Sequence, residues 1–376
     1  MTPDRPLSVL HVAVPGRAGG LETVLVELAG GLKRRGHRTV LAAVVEGETE
    51  AHPVLVRAAE LHVEVHGIVA SRRAYLREYL QLRKTIDLTR PDVVHTHGYR
   101  ADFFGGLAAR GAGVPWVSTA HGFTGGGRKN QLYEWLQVRA YRRAQRVVAV
   151  SKSIRDRLMR EGVSGPRILL LPNAWAPRRI LSREEARSRL AIPQGQFVVG
   201  WVGRLSPEKG ADVFLDALGG LPELPWQAAV VGDGREHEAL KAMALALRVS
   251  DRVRWYGAIS NASTLFAAFD AFVLSSHTEG TPITLLEAVA ARVPVVATAV
   301  GGVPDMFSRE SVLLVPPGRP DSISAALRNI FNDPAAARVR SETAFQELVQ
   351  RFDLDSWLAA HVELYSRIAT QRRGTA

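Results

Sequence analysis

Short apolar runs alternate with longer amphipathic stretches along almost the whole chain, and no other feature restricts its fold as much. In the first half the runs are SVLHVAV, TVLAAVV, DVVHTH, PWVSTA, RVVAVS and RILLLPN. Between them, segments near 21–35, 72–89, 100–111, 130–144 and 152–161 carry apolar residues at helical spacing. Strand, helix and strand in repetition give a parallel sheet covered by helices on both faces.

The second half repeats the scheme with QFVVGWVG, WQAAVVGDG, DRVRWYG, AFVLSS, VPVVAT and SVLLVPP as strands and helical segments near 208–218, 235–248, 261–269, 284–291 and 320–332. A chain of 376 residues exceeds one ordinary core and suits two α/β domains. The expected division is a Rossmann-like domain over 1–178, a second over 179–355, and a C-terminal helix over 356–376 packing back on the first. The linker falls in NAWAPRRILSREEA, where Pro177 interrupts the pattern. Open α/β sheets bind ligands beyond the carboxyl ends of their strands. Two such domains facing each other make a deep cleft, so functional residues are expected just after strands.

Composition removes several function classes. The chain has no cysteine, which excludes disulfides and thiolate metal sites. The N-terminus MTPDRPLSVLHVAVPG has Asp4 and a short apolar run, and reads as a first strand and not a signal peptide. No apolar stretch approaches the roughly 20 residues that span a bilayer, so the expected location is cytoplasmic. The net charge of +11 is uneven: residues 1–180 hold 28 Lys and Arg against 15 Asp and Glu, a net of +13. Such asymmetry either serves solubility or points the first domain at something anionic: a membrane surface, a phosphorylated lipid or, behind these because no binding module is visible, nucleic acid.

In HTEGTPITLLEAVAARVPVVATAVGG, Glu279 follows the strand AFVLSS. Thr281 and Pro282 make a credible N-cap and first position for the helix carrying Glu287. Amides near Pro282, Ile283 and Thr284 then point out of a helix N-terminus, an anion site. Two carboxylates would repel an anion placed between them, so they are read as accepting from neutral hydroxyls on either side. The arrangement suits a diphosphate with a polyol at each end, as in a nucleotide sugar. Glu287 lies about 7 Å further along the helix. In VGRLSPEKG, Arg204 can grip a phosphate through two N–H bonds and Lys209 adds a compact positive charge. Together they can stabilise a departing diphosphate without a metal.

The pieces HGFT, VSKS, LPN, VGRLSPEKG, VGDG and TEGTPITLLEAVAARVPVVATAVGGVPD occur in that order, and with them the chain resembles glycosyltransferase family 4, retaining enzymes of GT-B fold. The resemblance spans nearly the whole chain. It implies a metal-independent hexosyl transfer from a nucleotide sugar, with a UDP-sugar the favoured donor and a GDP-sugar the other, and no cofactor. The acceptor would be a glycan or lipid-linked saccharide of cell-envelope or exopolysaccharide type. By resemblance, Glu279 contacts the sugar, Glu287 the ribose, and Arg204 with Lys209 the diphosphate. Gly20, Gly203, Gly232, Gly280, Thr281, Pro282, Ile283 and Thr284 complete the donor site. His121 would lie beside donor sugar and acceptor, and with Glu279, Arg204 and Lys209 forms the implied catalytic set. Gly19, His97 and His121 would meet the acceptor. One departure is Ala174, Trp175 and Ala176 after LPN, where many relatives have Gly-Val-Asp.

His121 is followed by a glycine run, Gly125 to Gly127. His95 and His97, two apart on a strand, are read as pointing to opposite faces, so no shared metal is expected and His97 shapes the cleft floor. PGRAGGLETVL misses the dinucleotide spacing, because Gly16, Gly19 and Gly20 do not match G-x-G-x-x-G. Asp353 and Asp355 in DLD have no strand before them and are read as chance. GRKNQLYEWLQVRAYRRAQR sets Leu132, Trp135, Leu136 and Tyr141 beside Lys129, Arg139, Arg142, Arg143 and Arg146, a candidate contact for anionic headgroups. The rival readings are a nucleotide-sugar epimerase of the same build, lacking an identifiable acid–base pair, and an inactive membrane-binding module. The oligomeric state is not legible.

Overall fold

A computed structural model of the chain describes residues 5–17, 19–47, 49, 51–70, 74–123 and 128–373. Gly125 to Gly127 and the side chain of Lys129 lie outside the described residues. The chain forms two compact units. One runs to Ala174 and resumes at Leu354, and the other is Trp175–Asp353.

The first unit is wound as β1 Ser8–Ala13, α1 Gly20–Arg34, β2 Arg38–Val45, α2 Pro53–Glu60, β3 Glu64–Val69, α3 Tyr75–Thr89, β4 Val93–His97, α4 Tyr99–Gly111, β5 Trp116–Ala120, α5 Arg128–Tyr141, β6 Arg146–Ala149, α6 Lys152–Arg160 and β7 Ile168–Leu170. All seven strands are parallel, in the order β3-β2-β1-β4-β5-β6-β7. Strand alternation sorts the core into two layers. Leu41, Ala43 and Val45 of β2 pack with Leu25 and Ala29 of α1 and with Val54 and Leu55 of α2. Val40, Ala42 and Val44 face the other way, toward Leu82 and Ile86 of α3 and Ala108 of α4. The segment holding α2 and β3 gave no clear periodic signal, because β3 is an edge strand burying only Ile68.

The second unit contains α7 Arg183–Arg189, β8 Phe197–Val202, α8 Ala211–Gly219, β9 Trp226–Val231, α9 His237–Ala246, β10 Val253–Trp255, β11 Ala271–Leu274, α10 Ile283–Ala290, β12 Val295–Thr298, α11 Val303–Met306, β13 Leu313–Val315, α12 Pro320–Asn332 and α13 Pro334–Arg351. Its six strands are also parallel, ordered β10-β9-β8-β11-β12-β13. The final helix, α14 Leu354–Arg373, belongs to the first unit, where it packs against α1 and β4.

Four local expectations change. The helix expected over 208–218 is broken: a 3-10 turn at Pro207–Lys209 ends at Gly210, whose φ of +63° only glycine adopts cheaply, and α8 starts after it. The helix expected over 261–269 is a 3-10 stretch, Ala262–Ala268. The basic helix ends at Tyr141, so Arg142 and Arg143 follow its end and Arg146 begins β6. Finally, NAWAPRRILSREEA is no free tether. The Trp175 amide donates to the Phe352 carbonyl at 2.9 Å, the Leu181 amide to that of Thr264 at 3.1 Å, and Trp175, Ile180 and Leu181 pack on the second unit's core. Ser182 then starts α7 through a reciprocal capping box with Glu185.

Candidate active site

Each sheet reverses its strand order once, between β8 and β11 in the second unit and between β1 and β4 in the first. Loops leaving the carboxyl ends of such neighbours diverge to opposite sides and leave a crevice. The candidate residues gather at these two points.

In the second unit, the loop after β8 carries Gly203, Arg204 and Lys209, and the loop after β11 carries Glu279. The loops are joined backbone to backbone. The Gly203 amide donates to Val231 at 3.0 Å, Leu205 to Asp233 at 3.0 Å, and His277 to Glu208 at 2.9 Å. A side chain at Gly301 (φ +55°) would place its Cβ 1.7 Å from the Glu279 carbonyl, and one at Gly232 would lie 1.8 Å from that of Gly203. Glycine at these positions is a condition of the loops touching at all.

Within this frame Lys209 Nζ lies 2.7 Å from Glu279 Oε1, and Ser276 Oγ donates to the same oxygen at 2.7 Å. The Glu279 side chain is only 7% exposed, while Lys209 retains 30%, so the carboxylate is the fixed member of the pair. Gly280 and Thr281 are buried beside it. The cap of α10 is Pro282, not Thr281: Pro282 has φ −68° and ψ 119°, which is extended, and no side chain caps the helix. The shift by one residue leaves Ile283 and Thr284 in the first turn, whose amides have no acceptor within the helix itself and are directed toward its N-terminus. Glu287, half-buried, sits in the second turn of α10. Arg204 is exposed and makes no ion pair among the described residues.

In the first unit the loop after β1 ends at Gly19, the cap of α1, and Gly20 is that helix's first residue. His97 ends β4, and Gly98 turns the chain into α4 with φ +88°. His121 follows β5 and is half-buried. The expectation that His95 and His97 face opposite ways is wrong. Residues two apart on a strand share a face, and their ring centroids are 4.2 Å apart. His11 of β1 joins them, with ring centroids 5.4 Å from each. Among the described residues these three form the one group able to offer a metal ligand atoms within 4.8 Å of one another.

Burial is the first cause, and neighbouring histidines the second, that hold His95 and His97 well below the ordinary imidazole range. His11 is lowered to about 3 and His121 to about 4, in both cases by burial and then by His361. His361 of α14 is itself lowered by burial to about 4. Sequence reading missed His11, His361, Tyr365 and Ser276. One signal was available: His11 interrupts the otherwise apolar run VLHVAV of a parallel strand, a local conflict that natural sequences keep for a purpose. On the opposite face of the sheet, Asp102 of α4 is fully buried. It accepts from Thr96 at 2.6 Å, Ser118 at 2.5 Å, Gln137 at 2.7 Å and Tyr141 at 3.0 Å.

Residues 182–347 match the family model described as glycosyl transferases group 1, and residues 18–179 match that of Glycosyltransferase Family 4. A 2-deoxystreptamine N-acetyl-D-glucosaminyltransferase from Streptomyces fradiae is 30% identical over 79% of this chain and 76% of its own length. An Escherichia coli UDP-Gal:alpha-D-GlcNAc-diphosphoundecaprenol alpha-1,3-galactosyltransferase is 26% identical over 74% and 76%. Among solved structures, HepE of Anabaena in complex with UDP and glucose superposes with a TM-score of 0.84 at 22% identity, over 96% of this chain and 99% of that one. The architecture of two parallel-sheet α/β units is thus that of the GT-B fold.

Proposed function

Because this chain belongs to glycosyltransferase family 4, we propose that it moves a hexosyl group from a nucleoside-diphosphate sugar to a glycan or lipid-linked acceptor, with retention at the anomeric carbon and without an essential metal. A UDP-sugar is the favoured donor and a GDP-sugar the alternative. The supporting observation is the Lys209–Glu279 couple of 2.7 Å at the β8/β11 switch point. A donor diphosphate would take Lys209, Arg204 and the first-turn amides of α10, freeing Glu279 to accept from hydroxyls of the sugar. Glu287 would accept from the ribose, and Gly203, Gly232 and Gly280 would let backbone approach the ligand. As the anomeric C–O bond to phosphate breaks, the acceptor oxygen attacks from the same face, and its proton passes to the departing phosphate oxygen. Gly19 and His121 would serve the acceptor side directly, and His97, buried and hydrogen-bonded to His121, through that ring. The relatives named above include a UDP-galactose enzyme with a diphosphoundecaprenol-linked acceptor, which favours an envelope or exopolysaccharide role.

Hydrolysis and transfer assayed over a panel of UDP- and GDP-sugars test the reading. Turnover with one UDP-sugar that persists in EDTA is expected. Turnover abolished by EDTA and restored by Mg²⁺ would remove metal independence, and silence across the panel would remove the donor class.

We also propose that the first unit docks on the anionic inner face of the cell membrane. Leu76 and Leu80 of α3, Phe103 and Leu107 of α4, and Leu132 and Trp135 of α5 are exposed. These helices adjoin one another, and stacked rings, Tyr75 on Phe104 and Tyr99 on Tyr133, each at 5.2 Å, tie them together. Exposed Arg77, Lys84, Arg110 and Arg139 border the apolar residues, the composition of an interfacial surface. Tyr141, expected in this contact, is fully buried and bonds Asp102 instead. No described helix is long and apolar enough to cross a bilayer. Sedimentation with vesicles should require anionic lipid, weaken with salt, and fall strongly in Leu132→Ser/Trp135→Ser; unchanged binding by that variant would exclude the face.

A further inference from the structure

Three imidazoles in the first unit are joined end to end. Nδ1 of His11 lies 3.2 Å from Nε2 of His97, and Nδ1 of His97 lies 3.2 Å from Nε2 of His121. In each contact one nitrogen donates and the other accepts. A neutral imidazole has one of each, so the chain can run in only two directions.

The far nitrogen decides between them. Nε2 of His11 is buried and, among the described residues, has no hydrogen-bond partner. If the chain ran from His121 to His11, that atom would be a buried N–H with nothing to accept it, the rarer and costlier kind of orphan. Run the other way, His11 donates from Nδ1 to His97 and His97 donates from Nδ1 to His121. Only a lone pair at His11 is then left over. Burial keeps all three rings neutral near pH 7, so no extra proton blurs the assignment.

The same geometry argues against an ion. Both nitrogens of His95 are engaged, with Tyr365 Oη at 2.7 Å and Thr119 Oγ1 at 2.8 Å, and both nitrogens of His97 belong to the chain. A metal shared by His11, His95 and His97 would have to break several of these bonds. His361 donates from Nδ1 to the Trp357 carbonyl at 3.0 Å and stands outside the chain.

We propose that His11 and His97 are positioning residues that fix His121 as its Nδ1–H tautomer, so that His121 meets a bound sugar or acceptor as a hydrogen-bond donor through Nδ1 while Nε2 is held by the sheet. The inference rests on the reading of His121 as a substrate contact, and its tautomer can be observed without substrate.

The experiment uses the full chain with ¹⁵N-labelled histidine. Long-range ¹H–¹⁵N correlations at neutral pH, assigned through single histidine variants, should show His11, His97 and His121 protonated at Nδ1. A ¹⁵N–¹⁵N coupling across the His97–His121 hydrogen bond should be visible in the wild type, a reading that needs no variant to fold. In His97→Phe, His121 should shift toward Nε2–H, and turnover with the active donor should fall about tenfold, the worth of one hydrogen bond. Protonation of His121 at Nε2 in the wild type would overturn the proposal. So would a tautomer indifferent to His97→Phe, a tautomer that changes without any effect on turnover, or displacement of the His11 and His97 signals by stoichiometric Zn²⁺. Failure of the glycosyl-transfer reading shows separately, as absence of turnover with every donor while the wild-type tautomers stand.

Discussion

The two units share one winding plan and differ in what they bury. In each, the first strand is central, the next two run out to one side, and the rest run out to the other. Behind the first sheet lie His11, His95, His97 and His361, with His121 at the strand end, and none of them has a carboxylate partner among the described residues. The second unit buries no histidine among its described residues. Its fully buried guanidinium, Arg187, is paired with Asp270 at 2.8 Å and bonded to carbonyls of Ala268 and Pro193. The scaffold thus tolerates buried polarity in two forms. Paired charge is indifferent to pH near neutrality, whereas unpaired imidazole is stable only while it stays neutral.

The largest expected effect follows from that difference. A histidine whose folded pKa is depressed below its unfolded value contributes stability above the unfolded pKa and loses it as pH falls toward the folded one. His11, His121 and His361, lowered to about 3, about 4 and about 4, together imply a loss of about 4 kcal/mol per pH unit below about pH 6. Asp102 acts oppositely: burial raises it to about 6, so its folded form gains stability on protonation as pH falls, returning about 1.4 kcal/mol per unit. His95 and His97 add to the loss. Hydrogen exchange of the full chain at pH 7.5 and pH 5 should show β1, β4 and β5 losing protection first while β8 and β11 keep theirs. Equal loss in both sheets would erase the comparison.

Next in size is a backbone change in the second unit. Gly301→Ala puts a Cβ at φ +55° and 1.7 Å from the Glu279 carbonyl, so the β11 and β12 loops must part. A cost of about 2–4 kcal/mol in that unit is expected, with turnover falling more than tenfold because Glu279 moves. A well-folded, fully active variant would show that the loops need no such approach.

Smaller again are the contacts to the donor. Glu287→Ala should weaken binding of the free nucleoside diphosphate by about 1.5–3 kcal/mol, the value of a hydrogen bond to a charged group. Glu279→Ala should leave that binding closer to wild type and lower turnover instead. Calorimetric titration separates the two, and equal diphosphate affinity in wild type and Glu287→Ala would withdraw the ribose assignment.

What the sequence disclosed follows the physics of each element. Strands buried on both faces announce themselves as apolar runs, and the loops after β8 and β11 as Gly, Arg, Lys and Glu that no core would take. The edge strand β3 did not, since one buried residue, Ile68, makes no pattern. The Ser182–Glu185 capping box is legible as S-x-x-E, but the charged stretch around it masks the helix start as linker. His95 and His97 were visible as a pair, but placing them on opposite faces contradicts the period of a strand. The contact of His95 with Tyr365 spans 270 residues of chain, and only the return of α14 to the first unit creates it. Nothing local foretells such a pairing.

The smallest effect lies within the first unit, where α14 is attached both inside and at the rim. At the rim, Arg35 Nη2 meets Asp355 Oδ1 at 2.8 Å, with Asp355 84% exposed. An exposed ion pair is worth about 0–1 kcal/mol, because water screens it and two long side chains must be ordered. The same Arg35 nitrogen also donates to the Asp355 backbone carbonyl at 2.8 Å, a bond that survives loss of the carboxylate. Asp355→Ala should therefore cost no more than about 0.5 kcal/mol in denaturant unfolding, and added salt should shrink the difference further. Tyr365→Phe removes a buried hydroxyl 2.7 Å from His95 Nδ1 and should cost about 1–3 kcal/mol, since it strands a buried nitrogen. If Asp355→Ala proves the more damaging of the two, α14 is held by its surface charge and not by the histidine layer beneath it.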